Sequence, residues 1–297
     1  MVIRVRETRP FQVAPISTVG GSSLAVAPAL NPQTNARVDF FGVLIDRVDQ
    51  QDALDQIRTF LVDGRTHQIV TVNLDFLYLA EQNVEFRATI NEADLAVADG
   101  MPLVWLSRMM GTPLPGRVTG VELVRESCNI AYTEGVGVFF VGGTPSVAAL
   151  AAERVRAQYP GLAVSQYAPP FGPITPDEDE RMIELIQRAN PGFLFVSLGA
   201  PRQDLWIRAH RERLGVPVSM GVGCVVDLLA GAVRRAPPWM QSTGFEWSYR
   251  LMQEPRRLWR RYLLDDLPHF GRLSLMALDP TRAPAPTAQK STDGGLQ

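Results

Sequence analysis

Apolar residues along this chain follow two rhythms, short unbroken runs and longer stretches at helical spacing. The runs are His67 to Val72, Asp94 to Ala98 with its apolar part at Leu95, Val136 to Val141, Leu162 to Gln166, Phe193 to Leu198 and Val216 to Met220. Between them lie the helical stretches. Asp49 to Val62 carries Ala53, Leu54, Ile57 and Leu61 on one face, and Asp75 to Ile90, Pro102 to Met110, Ser146 to Tyr159, Thr175 to about Ala189 and Arg202 to about Leu214 continue the pattern, with a short helix at Cys224 to Ala230. Continuous apolar runs belong to strands covered on both faces, and strands that alternate with helices pair in parallel. The expected fold class is therefore α/β, a mostly parallel Rossmann-like sheet covered by helices. Two helix starts are explicit: Thr144 caps a helix that opens on Pro145, and Thr175-Pro176-Asp177-Glu178 reads as a capping box. No short internal repeat is present, and the pattern leaves open whether the two βα-rich halves are separate lobes around a cleft.

Outside this alternation the chain changes character twice. Residues 1–36 mix Pro, Ser, Gly, Ala and Asn without periodicity and read as a disordered tail, so folding should begin near Val38. The α/β core spans 37–235. After Arg235, Ala236-Pro237-Pro238-Trp239 breaks the pattern, and Gly244 to Met252 and Pro255 to Asp266 read as two helical pieces rich in arginine and aromatics. Residues 236–270 are thus expected to form a basic C-terminal helical appendage, and 271–297 a second tail.

Composition narrows the function. The chain has 297 residues, 46% hydrophobic and 20% charged, with a net charge of -2, which disfavours a general nucleic-acid binder. The charge is unevenly spread. From Arg234 to Arg261 seven arginines face only Glu246 and Glu254, a net +5, which leaves -7 for the remainder. Interleaved with Trp247, Tyr249, Trp259 and Tyr262, these arginines favour an interfacial segment at an anionic membrane over a solvated helix face. Cys128 and Cys224 match no disulfide or zinc pattern and suit a reducing compartment, and no leader for secretion is evident. Leu214 to Val233 is almost long enough to span a membrane but is broken by Pro217, several glycines and Asp227, so strand, loop and helix are expected there.

The chemistry concentrates around Asp94 to Val124. An apolar run stops at Asp99-Gly100, a helix-like segment follows, and a Gly/Pro loop returns Arg117 and Thr119 toward the place where the run ended. Strand ends face the ligand crevice in such folds, so Asp99 is a candidate catalytic carboxylate, although Asp-Gly is also a common turn dipeptide. Gly142 and Gly143 precede a helix start and offer backbone amides to a phosphate, or form an ordinary strand-to-helix loop. Gly221 to Val226 is a partial dinucleotide fingerprint whose third glycine is replaced by Val226. The acids Asp177, Glu178 and Asp179 are explained by the helix dipole, and His67, His210 and His269 match no metal or nucleophile motif.

Seven stretches in series, TVNLDFLYLA, ADGMPLVW, LPGRVTGVEL, VFFVGGTP, LGAPRQDLW, GVGCVVDLLAGAVRRAPPWMQ and GFEWSYRLMQEPRRLWRRYL, resemble the WecG/TagA/CpsF family of bacterial glycosyltransferases from about Phe40 to Leu263. The resemblance implies an inverting, metal-independent and cofactor-free enzyme of exopolysaccharide or cell-surface polymer synthesis, peripheral on the cytoplasmic face of the plasma membrane. It would move a sugar from a UDP-sugar to a polyprenyl-diphosphate-linked sugar. Glucose, N-acetylmannosamine and its uronic acid remain open as the sugar, and a homo-oligomer remains open as the assembly. By position the resemblance makes Asp99 the general base, places Thr71 and Asn73 beside it and Arg117 and Gln203 in the same pocket, and brings Arg250, Arg257 and Arg260 of the appendage to the nucleotide diphosphate and the lipid surface. Val226 departs from the phenylalanine usual before Asp227. The rivals are a nucleotide-dependent oxidoreductase using the Gly221 to Val226 turn, and a non-enzymatic membrane or nucleic-acid scaffold using only the basic segment.

Overall fold

A computed structural model describes residues 36–279 and the short strand 288–289. The N-terminal tail expected over 1–36 lies outside the described residues except for Ala36, as does the C-terminal tail at 280–287 and 290–297. The described chain opens on an antiparallel hairpin of β1 (Ala36–Phe40) and β2 (Val43–Asp46). Phe41 and Gly42 both take positive φ at its turn, the geometry that matches the twist of a two-residue hairpin. Arg37 fastens this hairpin to the rest of the fold. Its buried guanidinium pairs with Asp46 at 3.0 Å and donates to the Asn91 and Ala93 carbonyls at 2.6 Å, while Asp46 accepts the Ala96 amide at 2.7 Å.

The core alternates as expected. In chain order it runs α1 (Gln50–Val62), β3 (His67–Val72), α2 (Leu74–Gln82), α3 (Val84–Glu92), β4 (Leu95–Ala98), α4 (Met101–Met109), α5 (Gly120–Glu134), β5 (Val138–Gly142), α6 (Pro145–Gln158), β6 (Val164–Tyr167), α7 (Pro176–Ala189), β7 (Phe193–Ser197), α8 (Arg202–Leu214), β8 (Val218–Gly221) and α9 (Val225–Leu229). The six strands β3 to β8 form one parallel sheet in the order β4-β3-β8-β7-β5-β6, not two lobes. Alternate strand residues serve opposite faces. Ile69, Leu95, Phe140 and Phe195 meet α1, α5, α6 and α9, whereas Val70, Val72, Ala96 and Ala98 meet the hairpin, α2, α3 and α4, and Phe139, Val141, Leu194 and Val196 meet α7 and α8. This is the Rossmann-like α/β sheet the pattern predicts.

Several boundaries differ from the sequence reading. The single helix expected over Asp75 to Ile90 is two, because Asn83 leaves helical geometry and its side chain accepts the Phe86 amide to start α3. The strand expected from Leu162 begins at Val164. Helix α5 was not expected. Thr119 caps it and Gly135, at φ +69°, ends it. The tract around Pro237 is not only a breaker, since Pro238 opens α10 (Pro238–Ser242).

The appendage continues through α11 (Glu246–Gln253), α12 (Pro255–Arg260), a π-helical stretch Arg261–Asp266 and α13 (Leu267–Ala277). A tail beginning at 271 is therefore corrected: residues 271–277 are helical, and Leu273 is buried against the cluster of Val38, Phe40, Leu77 and Ala80. Beyond α13, β9 (Ala288–Gln289) pairs with β1. Among the described residues no helix is long and apolar enough to cross a membrane, and Leu214 to Val233 resolves into the end of α8, then β8 and α9.

Candidate active site

The carboxyl ends of all six parallel strands open on one cleft of about 760 Å³, roofed by the appendage. Asp99, one residue past β4, is held there by the sheet itself. Its amide continues the β3–β4 ladder to the Val72 carbonyl at 2.6 Å, and the Val118 amide returns to the Ala98 carbonyl at 2.8 Å, which brings the loop before α5 back to the same strand end. The Gly120 amide then donates to Asp99 Oδ2 at 3.2 Å. Water reaches this carboxylate from the cleft, yet protein surrounds it so closely that burial pushes its pKa up to about 6. The Gly120 amide and Arg117 oppose that rise, while Glu246 and Glu122 add to it.

The other candidates divide into those the fold gathers and those it does not. Thr71 is buried on β3, its hydroxyl 3.4 Å from the Gly221 carbonyl, and it adjoins Asp99 across Gly120 without lining the cleft. Asn73 lines the cleft and caps α2 by accepting the Phe76 amide at 3.2 Å. Gln203 is almost fully buried at the cleft floor, where its Oε1 accepts the Gly223 amide at 3.1 Å. Gly142 and Gly143 line the cleft at φ +115° and +74°. At Gly142 a Cβ would fall 2.2 Å from the Ser197 carbonyl, so the close approach of β5 and β7 itself demands glycine. Arg117, Arg250 and Arg257 all reach the cleft. Arg250 Nη2 meets the Cys224 sulfur at 2.7 Å and has no carboxylate partner among the described residues. Arg260 is not brought in. It is exposed, stacks over Trp259 at 5.9 Å and stands outside the cleft, because the turn of α12 that buries Leu258 points it away.

Sequence reasoning found Asp99 but missed the cleft's other carboxylates. Arg261 lines it in place of Arg260 and pairs with Asp75 at 2.9 Å, with Asp266 at 3.8 Å. Burial and the neighbouring Asp75 push Asp266 up to about 7 against the opposing pull of Arg261. Arg235 pairs with Glu122 at 2.8 Å and lies 3.7 Å from Glu246, whose other oxygen is 3.4 Å from Arg117. Of these partners only Glu246 carried a signal, as an acid inside an otherwise basic segment. Most of the remaining motifs are structural. Asp179 accepts the Trp206 indole N–H at 2.5 Å and pairs with His210, and His67 is clamped between Asp63 and Asp94. In the partial dinucleotide fingerprint Gly221 is a packing requirement, since a Cβ there would lie 2.3 Å from Asp204, whereas Val222, Gly223, Cys224 and Val225 line the cleft.

A cleft at the strand ends with a raised carboxylate fixed at one of them and several arginines suits group transfer from a phosphorylated donor. The family model for the Glycosyl transferase WecG/TagA/CpsF family matches residues 38–283. The chain belongs to this family. Relatives of this glycosyl transferase include the N-acetylglucosaminyldiphosphoundecaprenol N-acetyl-beta-D-mannosaminyltransferases of Staphylococcus aureus strains MW2, MRSA252 and NCTC 8325. Each is 32% identical over 237 residues, covering 79% of this chain and 91% of the relative. The glycosyl transferase match runs from β1 through α13, so it takes in the strand ends and the appendage that roofs them.

Proposed function

We propose that this glycosyltransferase moves a sugar, with inversion, from a UDP-sugar to the sugar of a polyprenyl-diphosphate acceptor, with Asp99 as general base and arginines in place of a metal ion. The observation that carries the reading is the cleft itself: one buried carboxylate with a raised pKa, fixed at a strand end, opposite guanidinium groups from a basic appendage. The acceptor hydroxyl gives its proton to the Asp99 carboxylate as its oxygen attacks the anomeric carbon. The bond from that carbon to the diphosphate oxygen breaks, and UDP leaves with the electron pair. A single displacement inverts the centre and needs one base, not the two carboxylates of a glycosidase. Arg250 is the first anchor for the diphosphate, since its charge has no carboxylate partner among the described residues, with Arg257 lining the same cleft and Arg117 near the base. Fixed guanidinium donors stabilise charge that develops on a phosphate.

The relatives' names supply the working identity of the substrates, N-acetylmannosamine onto N-acetylglucosaminyl-diphosphoundecaprenol, in cell-surface polymer synthesis. The lipid acceptor and the exposed aromatic and basic face of the appendage favour a peripheral position at the inner face of the plasma membrane. The test is UDP release from a panel of UDP-sugars, with and without a short-chain polyprenyl-diphosphate N-acetylglucosamine, in EDTA. Acceptor-dependent release with UDP-N-acetylmannosamine is expected. Release that requires added Mg²⁺ or Mn²⁺ would remove the metal-free mechanism, and release with none of the donors would remove the UDP-sugar assignment.

A further inference from the structure

The cleft holds a second carboxylate close to Asp99 that the transfer reaction does not consume. Glu246 opens α11 and so belongs to the appendage, yet its partners belong to the wall and floor of the cleft. Its Oε2 lies 3.4 Å from Arg117 Nη1 and its Oε1 3.7 Å from Arg235 Nε. Arg235 Nη2 also reaches Glu122 Oε1 at 2.8 Å, and Glu122 is bonded to the Thr119 hydroxyl, one residue before the Gly120 amide that holds Asp99. Charges of alternating sign thus run from the appendage to the base. The pairs are sheltered: Arg117, Glu246 and Arg235 side chains are 20%, 27% and 14% exposed, so solvent screens them less than it would a surface pair.

The Asp99 carboxylate accepts one hydrogen bond, from Gly120, and has no ion pair among the described residues. Arg117 lines the same cleft and acts on that carboxylate through space. A free guanidinium would ordinarily close on an unpaired carboxylate, and a carboxylate locked to arginine is a poor base. What keeps Arg117 occupied is Glu246. We propose that Glu246 is a positioning residue for the transfer, holding Arg117 off Asp99 so that the base stays free to take the acceptor's proton until substrate arrives. This rests on the reading of Asp99 as the base. The charged and titratable groups that face Asp99 are Glu246 from α11, Glu122 from α5, Arg117 from the loop before α5, and Cys224 from the turn before α9. Of the two acids, Glu246 is the one the appendage brings, so docking of the appendage and basicity of Asp99 are linked through it.

The test follows the Asp99 carboxyl directly. In full-length protein with ¹³C-labelled aspartate, the signal lost in Asp99→Asn is titrated in wild type, Glu246→Gln and Glu246→Asp. The Asp99 midpoint is expected to fall by about 0.5–1 pH unit in Glu246→Gln, because a like charge is removed and a cation released, and to return most of the way in Glu246→Asp. Plateau kcat should fall about 5- to 20-fold in Glu246→Gln as the weaker base takes the proton less readily, with KM for the UDP-sugar little changed. An Asp99 midpoint that is unchanged or raised in Glu246→Gln overturns the proposal. Failure of the underlying reading would look different: Asp99→Asn would keep its turnover whatever the titration of Glu246→Gln shows.

Discussion

At the scale of one residue, Asp99 as the proposed base would trade stability for reactivity. Its pKa is raised to about 6, so the folded chain holds that proton more tightly than the unfolded chain, whose aspartates titrate near ~3.9. The cost of ionising it is absent below about pH 4, grows between about 4 and 6, and is complete above that. Asp99→Asn should therefore melt higher than wild type at pH 8, by a margin worth about 1–3 kcal/mol, and equal it at pH 4. The same variant should lose about 10²-fold or more in turnover, the scale of a missing general base. In wild type, kcat/KM should rise with pH through an inflexion near 6 as the carboxylate forms. Paired melting curves and a pH–rate profile check all three, and a variant that melts lower at pH 8 while turning over normally would show Asp99 to be a structural turn residue. The sequence already pointed to this residue, since an apolar run ending in Asp-Gly places an acid at a strand end. It could not place Glu246 or Arg261 in the cleft, because Arg117 and Asp75, the core residues they pair with there, lie more than a hundred positions away.

At the scale of elements, unbroken apolar runs and period-3.6 patterns made the six parallel strands and most helices readable, because the strands are buried on both faces and the helices on one. The failures have local causes. Asn83 interrupts a continuous helical pattern by capping the next helix, and α5 begins with Gly120 and Val121, weak helix formers that only the Thr119 cap and the Asp99 contact commit to a helix. The hairpin of β1 and β2 depends on one buried ion pair. Removing either partner strands a charge in the core, which costs far more than the pair itself contributes. Asp46→Ala should lower stability by about 3–5 kcal/mol, leaving Arg37 buried without its carboxylate and the Ala96 amide without an acceptor. Urea denaturation would measure it, and a loss under about 1 kcal/mol would mean the site rehydrates freely.

At the scale of the whole molecule, the appendage is both roof and outer surface. Leu258, Tyr262 and Asp266 face the cleft or core, and α13 continues inward to bury Leu273 in the cluster beneath the hairpin. The opposite face presents Trp259, Leu263 and Leu264, 45%, 43% and 55% exposed, with Arg256 and Arg260 at the same three- and four-residue spacing. In the proposed peripheral position Arg260, which the cleft excludes, would meet the lipid surface. Apolar side chains at headgroup depth and about 1 kcal/mol per basic residue together would then give reversible attachment to an anionic bilayer. Deleting the appendage would be a poor test, because it would also uncover the core around Leu273. Point substitution separates the two roles. Trp259→Ala, Leu263→Ser and Leu264→Ser combined should leave thermal melting nearly unchanged and weaken sedimentation with vesicles of anionic phospholipid about tenfold or more, whereas Arg256→Gln with Arg260→Gln should remove mainly the salt-sensitive part. Equal binding by all variants, or binding to neutral vesicles as strong as to anionic ones, would mean that this face does not dock on the membrane and that the acceptor must be reached by another surface.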